Sequence, residues 1–200
     1  MKKTYIATSI LLLAMSIVSC GNSDKTVNRH EDHKDHVAAE ATHDHPATNE
    51  DSINYRSSTL TIAGDVNFPL TLTVDSLKQM NVVGFDSANI VCQSGAVTSK
   101  TISSRGVLLK DILKKAQIKQ LNHKDRNFYI VARASDGYKA TYSWSEIFNN
   151  STGENTYVIF EENGLPIANR GSMILNTNND IKTGIRHVIW LKSIEVNRVD

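Results

Sequence analysis

The stretch NFYIVARASDGYKATYSWSEIF, residues 127–148, predicts the kind of fold that this chain adopts. Two segments rich in β-branched and aromatic residues, Asn127–Ala134 and Tyr138–Tyr142, flank Asp136-Gly137, a dipeptide typical of hairpin turns. Ser143 and Glu146 then have the spacing of a capping box, so a short helix is expected directly after the hairpin. The order strand, turn, strand, short helix indicates a domain in which strands predominate.

The same pattern of short alternating runs and turn residues extends in both directions from this stretch. Further strands are predicted at Ser58–Ile62, Phe68–Thr73, Val82–Cys92, Thr156–Phe160, Ser172–Leu175 and His187–Val196. Helical spacing of apolar residues predicts short helices at Val74–Met80 and Val107–Ala116. Pro69 suggests that its strand lies at a sheet edge, because proline cannot donate to a ladder. The sequence therefore predicts an α+β, mostly β, domain over residues 55–200.

The composition excludes several classes of protein. The 200 residues contain 22 Lys and Arg against 21 Asp and Glu, a net charge of +1, whereas a nucleic-acid binder needs a basic surface to meet phosphates. Three prolines and ten glycines exclude a collagen-like or proline-rich filament. Two cysteines are too few for a disulfide scaffold.

The first 19 residues have the features of a lipoprotein signal peptide. Lys2 and Lys3 form a positive start, and the apolar run 10–15 that follows is too short to span a bilayer. Small residues then surround Cys20, as in the lipobox of bacterial lipoproteins, where the cysteine thiol is acylated. We therefore expect the chain to be lipid-anchored in the cell envelope, on the periplasmic or surface side of a bacterial membrane.

Residues 20–54 are predicted to be a disordered, histidine-rich linker behind the lipidated cysteine, because large apolar groups are scarce there. Five of the seven histidines lie in this segment, interleaved with acidic residues: His30, His33, His36, His43 and His45. Neutral imidazoles are good ligands for zinc, copper and nickel. The segment is thus either a divalent-metal site or a solvated spacer that keeps the domain clear of the membrane.

Six stretches of the predicted domain occur in an order that carries a family resemblance. They are LTIAG (60–64), PLTLT (69–73), GVLLKDIL (106–113), SDGY (135–138), NGLP (163–166) and GIRHVIWL (184–191). Together they resemble the oxidoreductase molybdopterin-binding domain, the fold of sulfite oxidase and its bacterial relatives. The resemblance covers nearly the whole predicted domain, from about residue 58 to 198.

The resemblance implies a molybdopterin cofactor whose molybdenum is ligated by a cysteine at the end of a central strand. Cys92 stands at that place, and candidate cofactor contacts are Ser94, Gly95, Arg105 and Arg186. The chain departs from the family at several points. GSMIL (171–175) replaces a Gly-Gly-Pro-Leu-Arg type stretch, Ile189 replaces a lysine before Trp190, and the loop after Cys92 lacks a Gly-Asn-Arg run.

Three functions remain open at this stage. A membrane-anchored oxidoreductase with a redox partner would contain molybdenum that is lost on Cys92→Ala. A non-catalytic member of the family would bind a pterin-type or similar small ligand without molybdenum. A metal-handling lipoprotein would use the histidines of residues 21–54, with the domain as a platform.

The metal-handling function can be tested directly by a deletion. Deleting residues 21–54 is expected to abolish binding of zinc, copper or nickel, because the clustered imidazoles would be the ligands. Metal analysis of the purified protein with and without this segment measures the effect. Equal metal content in the two proteins would contradict a metal site in the linker.

Overall fold

The computed structural model describes residues 54–100 and 102–199. The predicted signal peptide, Cys20 and the histidine-rich linker up to residue 53 lie outside the described residues, so those predictions stand untested. No helix in the part that the structure describes is long and apolar enough to cross a membrane.

Twelve strands and three short α-helices are found within the described ranges. The strands are β1 (Leu60–Gly64), β2 (Leu70–Leu72), β3 (Val82–Asp86), β4 (Ile90–Val91), β5 (Val97–Ser99), β6 (Ser103–Leu108), β7 (Phe128–Ala134), β8 (Lys139–Ser143), β9 (Thr156–Glu162), β10 (Leu165–Pro166), β11 (Ile174–Thr177) and β12 (Leu191–Arg198). The helices are α1 (Val74–Lys78), α2 (Leu109–Ala116) and α3 (Trp144–Phe148). Two 3-10 turns cover Ser151–Glu154 and Thr183–Arg186.

The strands form two five-stranded sheets and one hairpin. In the first sheet the order is β2-β1-β12-β7-β8, and β1 pairs with β12 in parallel while the other pairs are antiparallel. In the second sheet the order is β10-β9-β6-β3, and β11 also pairs with β9. Strands β4 and β5 pair only with each other. β2 is an edge strand, as Pro69 suggested.

A single large apolar cluster joins both sheets and α2. It contains Ile62 and Ile194 from the first sheet, Val107 and Val158 from the second, and Ile112 from the helix, each of them completely buried. Complete burial of one such side chain stabilises the fold by about 1.5–3 kcal/mol. A smaller cluster centres on Ile159, Ile167 and Ile174. The α+β, mostly β fold class is therefore confirmed.

The hairpin that opened the sequence analysis is confirmed in detail. β7 and β8 pair antiparallel, and the Tyr138 backbone N–H donates to the Asp136 carboxylate in the turn between them. The Ser143 hydroxyl accepts from the Glu146 N–H, and the Glu146 carboxylate accepts from the Ser143 N–H. Both bonds of the capping box are present, so α3 begins where the sequence predicted.

The last strand was predicted to begin at His187, and this is wrong. The Val188 backbone exchanges hydrogen bonds with Leu175 of the second sheet, whereas Leu191 pairs with β7 of the first sheet. Between them Trp190 has a φ of +49°, so the backbone turns out of one sheet before it enters the other. The alternating apolar residues are buried as expected, but Val188 pairs with the second sheet whereas Ile194 and Val196 belong to the first.

The stretch Val82–Cys92 was predicted as one extended segment, and the structure divides it into β3 and β4. Strand β6, which lies inside the second sheet, was not predicted. Ser104 of β6 is buried because its hydroxyl bonds to the Ser87 hydroxyl at 2.6 Å, and Gly106 contributes no side chain. Strand β6 therefore lacks a visible apolar alternation. The helix predicted from Val107 begins two residues later, because Val107 and Leu108 complete β6.

Gly106 allows the backbones of β6 and β9 to approach each other closely in the second sheet. A Cβ atom added at Gly106 would lie 2.5 Å from the Val158 carbonyl oxygen, whereas one added at Gly84 on the neighbouring strand β3 would meet nothing within 4 Å. We predict that Gly106→Ala lowers the free energy of unfolding by about 2–3 kcal/mol, because backbone atoms must move apart. Gly84→Ala is the matched control and should change it by less than about 1 kcal/mol. Urea unfolding measures both, and equal effects would contradict the close approach.

Candidate functional site

Cys92 lies in a tight turn that joins β4 to β5. The Cys92 N–H donates to the Ala96 carbonyl, and the Gly95 N–H donates to the Cys92 carbonyl, each at 2.9 Å. Cys92 is 8% exposed, and its thiol donates a hydrogen bond to the Thr98 hydroxyl oxygen at 3.8 Å. The strand that precedes Cys92 belongs to the two-stranded hairpin, so the expectation of a central strand here is wrong.

The 3-10 turn at Thr183–Arg186 packs against the backbone just before Cys92. The Thr183 hydroxyl accepts from the Val91 N–H at 2.9 Å and donates to the Asn89 carbonyl at 2.5 Å. Gly184 approaches so closely that an added Cβ would lie 3.0 Å from the Val91 carbonyl oxygen. This turn therefore sets the position of the Cys92 turn.

Arg186 fastens the 3-10 turn to the first sheet. Its guanidinium donates to Asp180 at 2.7 Å and to Glu146 at 2.8 Å, and it stacks over the Tyr142 ring at 4.5 Å. The side chain is only 16% exposed. Beside it, the Tyr138 hydroxyl donates to the Ile185 carbonyl at 2.6 Å. The charge of Arg186 is thus used within the protein, where it is shielded from most of the solvent.

The Glu146 carboxyl is held in its charged form by this arrangement. Burial pushes its pKa upward, but hydrogen bonds from the Ser143 N–H and from Arg186 outweigh burial and leave the pKa below its ordinary value. A depressed folded-state pKa contributes stability above the ordinary glutamate pKa, and this contribution is lost as the pH falls through the folded value. Burial also raises the pKa of the Tyr142 hydroxyl, which keeps it neutral.

The other basic candidates have carboxylate partners or lie apart from the Cys92 turn. Arg105 lies on β6, where its guanidinium is 3.2 Å from Glu161, and Arg170 pairs with Glu162. The sequence candidates Ser94 and Gly95 share the turn with Cys92, and a Cβ at Gly95 would lie 3.1 Å from the Lys182 ammonium. The structure therefore brings Cys92, Ser94 and Gly95 together, with Arg186 in the adjoining 3-10 turn. Arg105 makes no described contact with this group.

A narrow cleft lies beside the β4–β5 hairpin, against the second sheet. Its walls include Ile90, Lys100, Glu162, Arg170, Asn176 and His187, and it has room for about 10 Å³, which is one water-sized sphere. Asn176 of β11 is 1% exposed, and its amide nitrogen donates to Asn178 at 2.8 Å. The Asn176 Oδ1 has no partner among the described residues.

Sequence reasoning missed Asn176, and the sequence carried a weak signal for it. A polar residue between Leu175 and Thr177 in a strand buried at every position needs a partner. Thr183, Asp180 and Glu146 were also missed as parts of this region, because only the tertiary structure brings them to Arg186 and the Cys92 turn. Within the described ranges, no three His, Cys, Asp or Glu side chains are grouped so as to hold a metal ion.

The family model of the oxidoreductase molybdopterin binding domain matches residues 44–200. The chain belongs to this family. The crystal structure of the sulfane dehydrogenase SoxCD from Paracoccus pantotrophus has a similar fold, with a TM-score of 0.54 and 16% sequence identity. The similarity covers 70% of this chain and 38% of the SoxCD chain, so this protein corresponds to a minor part of that enzyme. No curated protein matches the sequence.

The family implies a molybdopterin cofactor, and the described residues do not fit one. Cofactor pockets typically measure about 300–1,000 Å³, whereas the cleft beside the hairpin has room for about 10 Å³. A phosphate-bearing cofactor also needs available positive groups, and the candidate contacts Arg186 and Arg105 are paired with carboxylates, which leaves Lys100 as an exposed cation on the cleft wall. Cys92 itself does not line the cleft. Among the residues that the structure describes, the cleft beside the hairpin is therefore too narrow for a pterin.

The Arg186 arrangement yields a test of how the Cys92 turn is held. We predict that Arg186→Gln lowers the free energy of unfolding by about 3 kcal/mol, because it leaves Asp180 and Glu146 as two partly buried charges without their cation. The loosened 3-10 turn should also expose Cys92, so that a thiol reagent labels the native protein faster. Urea unfolding and the labelling rate measure the two effects.

Arg105→Gln is the matched control, because Arg105 is 52% exposed and pairs with a single glutamate. It should cost less than about 1 kcal/mol and leave thiol labelling unchanged. Both variants carry Cys20→Ser, so that Cys92 is the labelled thiol. If Arg186→Gln left the labelling rate at the control value, the turn would not depend on this ion pair.

Proposed function

We propose that this protein is a binding member of the molybdopterin-binding oxidoreductase family that is carried on the cell envelope by a lipid at Cys20. Its domain holds a small polar ligand in the cleft beside the β4–β5 hairpin. The observation that carries the proposal is Asn176, a 1% exposed side chain whose Oδ1 lacks a partner in the cleft wall. A buried acceptor without a partner costs about 1–3 kcal/mol, so its retention favours a bound donor, which a ligand supplies when it takes the place of a water.

The cleft wall defines the chemistry of that ligand. Asn176 Oδ1 accepts a hydrogen bond, so the ligand must present an O–H or N–H group. Lys100 and Arg170 line the same cleft and favour a negative group, and the pairing of Arg170 with Glu162 limits the favourable charge to about one unit. A small anion that also has a hydroxyl group meets both requirements.

Size separates this ligand from the cofactor of the family. The cleft has room for about one water-sized sphere, and the exposed side chain of Lys100 lies on its wall. Entry of a few atoms requires the exposed side chain of Lys100 to move aside, whereas a pterin requires a cleft of about 300 Å³ or more. Cys92 has a structural part in this proposal, since its backbone and thiol bonds shape the turn.

The lipid anchor is supported by the sequence of residues 1–20, where a positive start and a short apolar run precede Cys20. A metal-handling role of the histidine-rich linker remains a second candidate, favoured by five histidines within residues 30–45. The deletion of residues 21–54 tests that role and keeps every residue that lines the cleft.

The binding role is tested with Asn176→Leu. We predict that bicarbonate, dihydrogen phosphate or glycolate raises the Tm of the natural protein, whereas formate, an anion without a hydroxyl group, and a free pterin do not. Asn176→Leu should abolish the shift. The free energy of unfolding without ligand should change by less than about 1 kcal/mol, because the variant removes both the unpaired acceptor and the hydrogen bond to Asn178. The exposed Asn179→Leu is the control, and it should keep the response to ligand.

Two results would contradict this proposal. One is the absence of a Tm shift with each hydroxyl-bearing anion. The other is purified protein that contains about one molybdenum and one fluorescent pterin per chain, which would show that the cleft opens for the family cofactor.

A further inference from the structure

A second feature of the molecule lies apart from the cleft, in α2 and the loop that follows it. Residues 109–126 contain six basic and two acidic side chains, a net charge of +4, whereas the remaining residues contain 16 basic and 19 acidic, a net charge of −3. The basic residues are Lys110, Lys114, Lys115, Lys119, Lys124 and Arg126. Lys110 pairs with Glu154 and Lys114 pairs with Asp111, and all of the six except Lys110 are exposed. The charge of the chain is therefore strongly polarised.

Apolar groups are placed among these charges. Leu121 is 84% exposed in the loop between α2 and β7, with Lys119 and Lys124 close to it in sequence. Beside the loop, an open groove of about 230 Å³ is lined in part by Ile118, Trp144 and Phe148. An exposed leucine next to lysines and a half-buried tryptophan is the combination found where proteins meet a bilayer interface.

The loop between α2 and β7 is ordered by hydrogen bonds and an ion pair within the domain itself. The Asp125 carboxylate accepts from the Leu121 N–H at 2.7 Å and pairs with Arg198, which also donates to the Lys119 carbonyl at 2.9 Å. The pKa of Asp125 lies below its ordinary value, mainly because of the hydrogen bond from Arg198 and secondly because of the one from Leu121. The carboxyl is therefore charged at neutral pH, where both bonds are kept. Gln120 closes the loop through its amide, which donates to the Asp125 carbonyl at 2.7 Å. Presenting Leu121 therefore requires little further ordering.

Arg126 connects the loop to the groove. Its guanidinium lies 4.9 Å above the Trp144 ring, so a cation stands directly over the aromatic lining. Trp144 and Phe148 stack on each other at 5.1 Å between ring centroids. Gln120, the neighbour of Leu121 in the loop, and Lys114 also line the groove, so the exposed loop adjoins the aromatic lining.

We propose that this basic face, residues 114–126 with Trp144 and Phe148, binds an anionic lipid surface. The lysines would lie within a Debye length of the lipid phosphates, and Leu121 would enter the interface. A membrane is favoured over an acidic protein because the proposed lipid at Cys20 already keeps the domain near a bilayer, and in this respect the inference rests on the proposed anchor. It is independent of the ligand in the cleft.

The test uses the chain from Gly21 to Asp200, which keeps every described element and lacks the acylated cysteine. Sedimentation with vesicles measures its partition onto phosphatidylcholine alone and onto phosphatidylcholine with about one third phosphatidylglycerol. We expect at least tenfold stronger partition onto the anionic vesicles. Raising the salt to about 0.5 M should remove most of this preference. Equal partition onto both vesicles, or none, would overturn the proposal, and an acidic protein would then be the better partner for the face.

Charge reversal locates the binding surface. Lys119→Glu with Lys124→Glu should weaken partition onto anionic vesicles at least tenfold. Leu121→Ser should weaken it severalfold at unchanged charge. The control is Lys139→Glu with Lys192→Glu, which makes the same change of charge. Both lysines lie beside the C-terminal end of β7, whereas Arg126 precedes its N-terminal end. Equal losses in the control and in the face variant would overturn the assignment to this face.

Failure of the anchor and failure of the face are distinguishable. The mass of the N-terminal peptide of the mature protein shows whether Cys20 is acylated. Vesicle binding without acylation would remove the anchor and keep the face. Acylation without vesicle binding would keep the anchor and remove the face.

Discussion

The passage of the chain from one sheet to the other at Trp190 is the constraint on which the rest of the domain depends. Trp190 has a φ of +49°, which is costly for a bulky residue, and the surrounding contacts hold it there. Its backbone N–H donates to the Arg170 carbonyl at 2.8 Å, and a Cβ atom added at Gly171, itself at φ +87°, would lie 2.9 Å from the Trp190 Cα. Since β12 is the middle strand of the first sheet, this single turn sets the relation between both sheets and their common core.

The 3-10 turn at Thr183–Arg186, just before Trp190, links the packing of the first sheet to the position of the Cys92 turn. Arg186 gives its charge to Asp180 and Glu146, and through this pairing it positions Thr183 and Gly184 against the backbone before Cys92. A guanidinium that is paired with two carboxylates offers little to an external anion, because the three groups together carry a net charge of −1. The chain thus keeps the family fold, while groups available for a phosphate-bearing cofactor serve within the protein. The narrow cleft and the buried oxygen of Asn176 agree with a smaller ligand.

Local signals predicted those parts of the fold that local interactions build. The β7–β8 hairpin and the capping box at Ser143 depend on residues within a few positions of each other, and both are confirmed. Strand β6 was invisible because Ser104 and Gly106 are buried for reasons set by distant residues, Ser87 and Val158. The candidate site followed the same division. Cys92, Ser94 and Gly95 were named from the family resemblance and lie together because they are close in sequence, whereas Asn176 joins the region through sheet pairing.

By itself, the sequence determined the mostly β class, the family, the hairpin and the uneven distribution of charge, because each depends on composition or on the order of short motifs. Only the tertiary structure decided which basic groups are neutralised, how narrow the cleft is, and that Leu121, Arg126 and Trp144 share a face. Those properties arise from contacts between residues that are distant along the chain, and such contacts depend on how the sheets pack rather than on any local pattern.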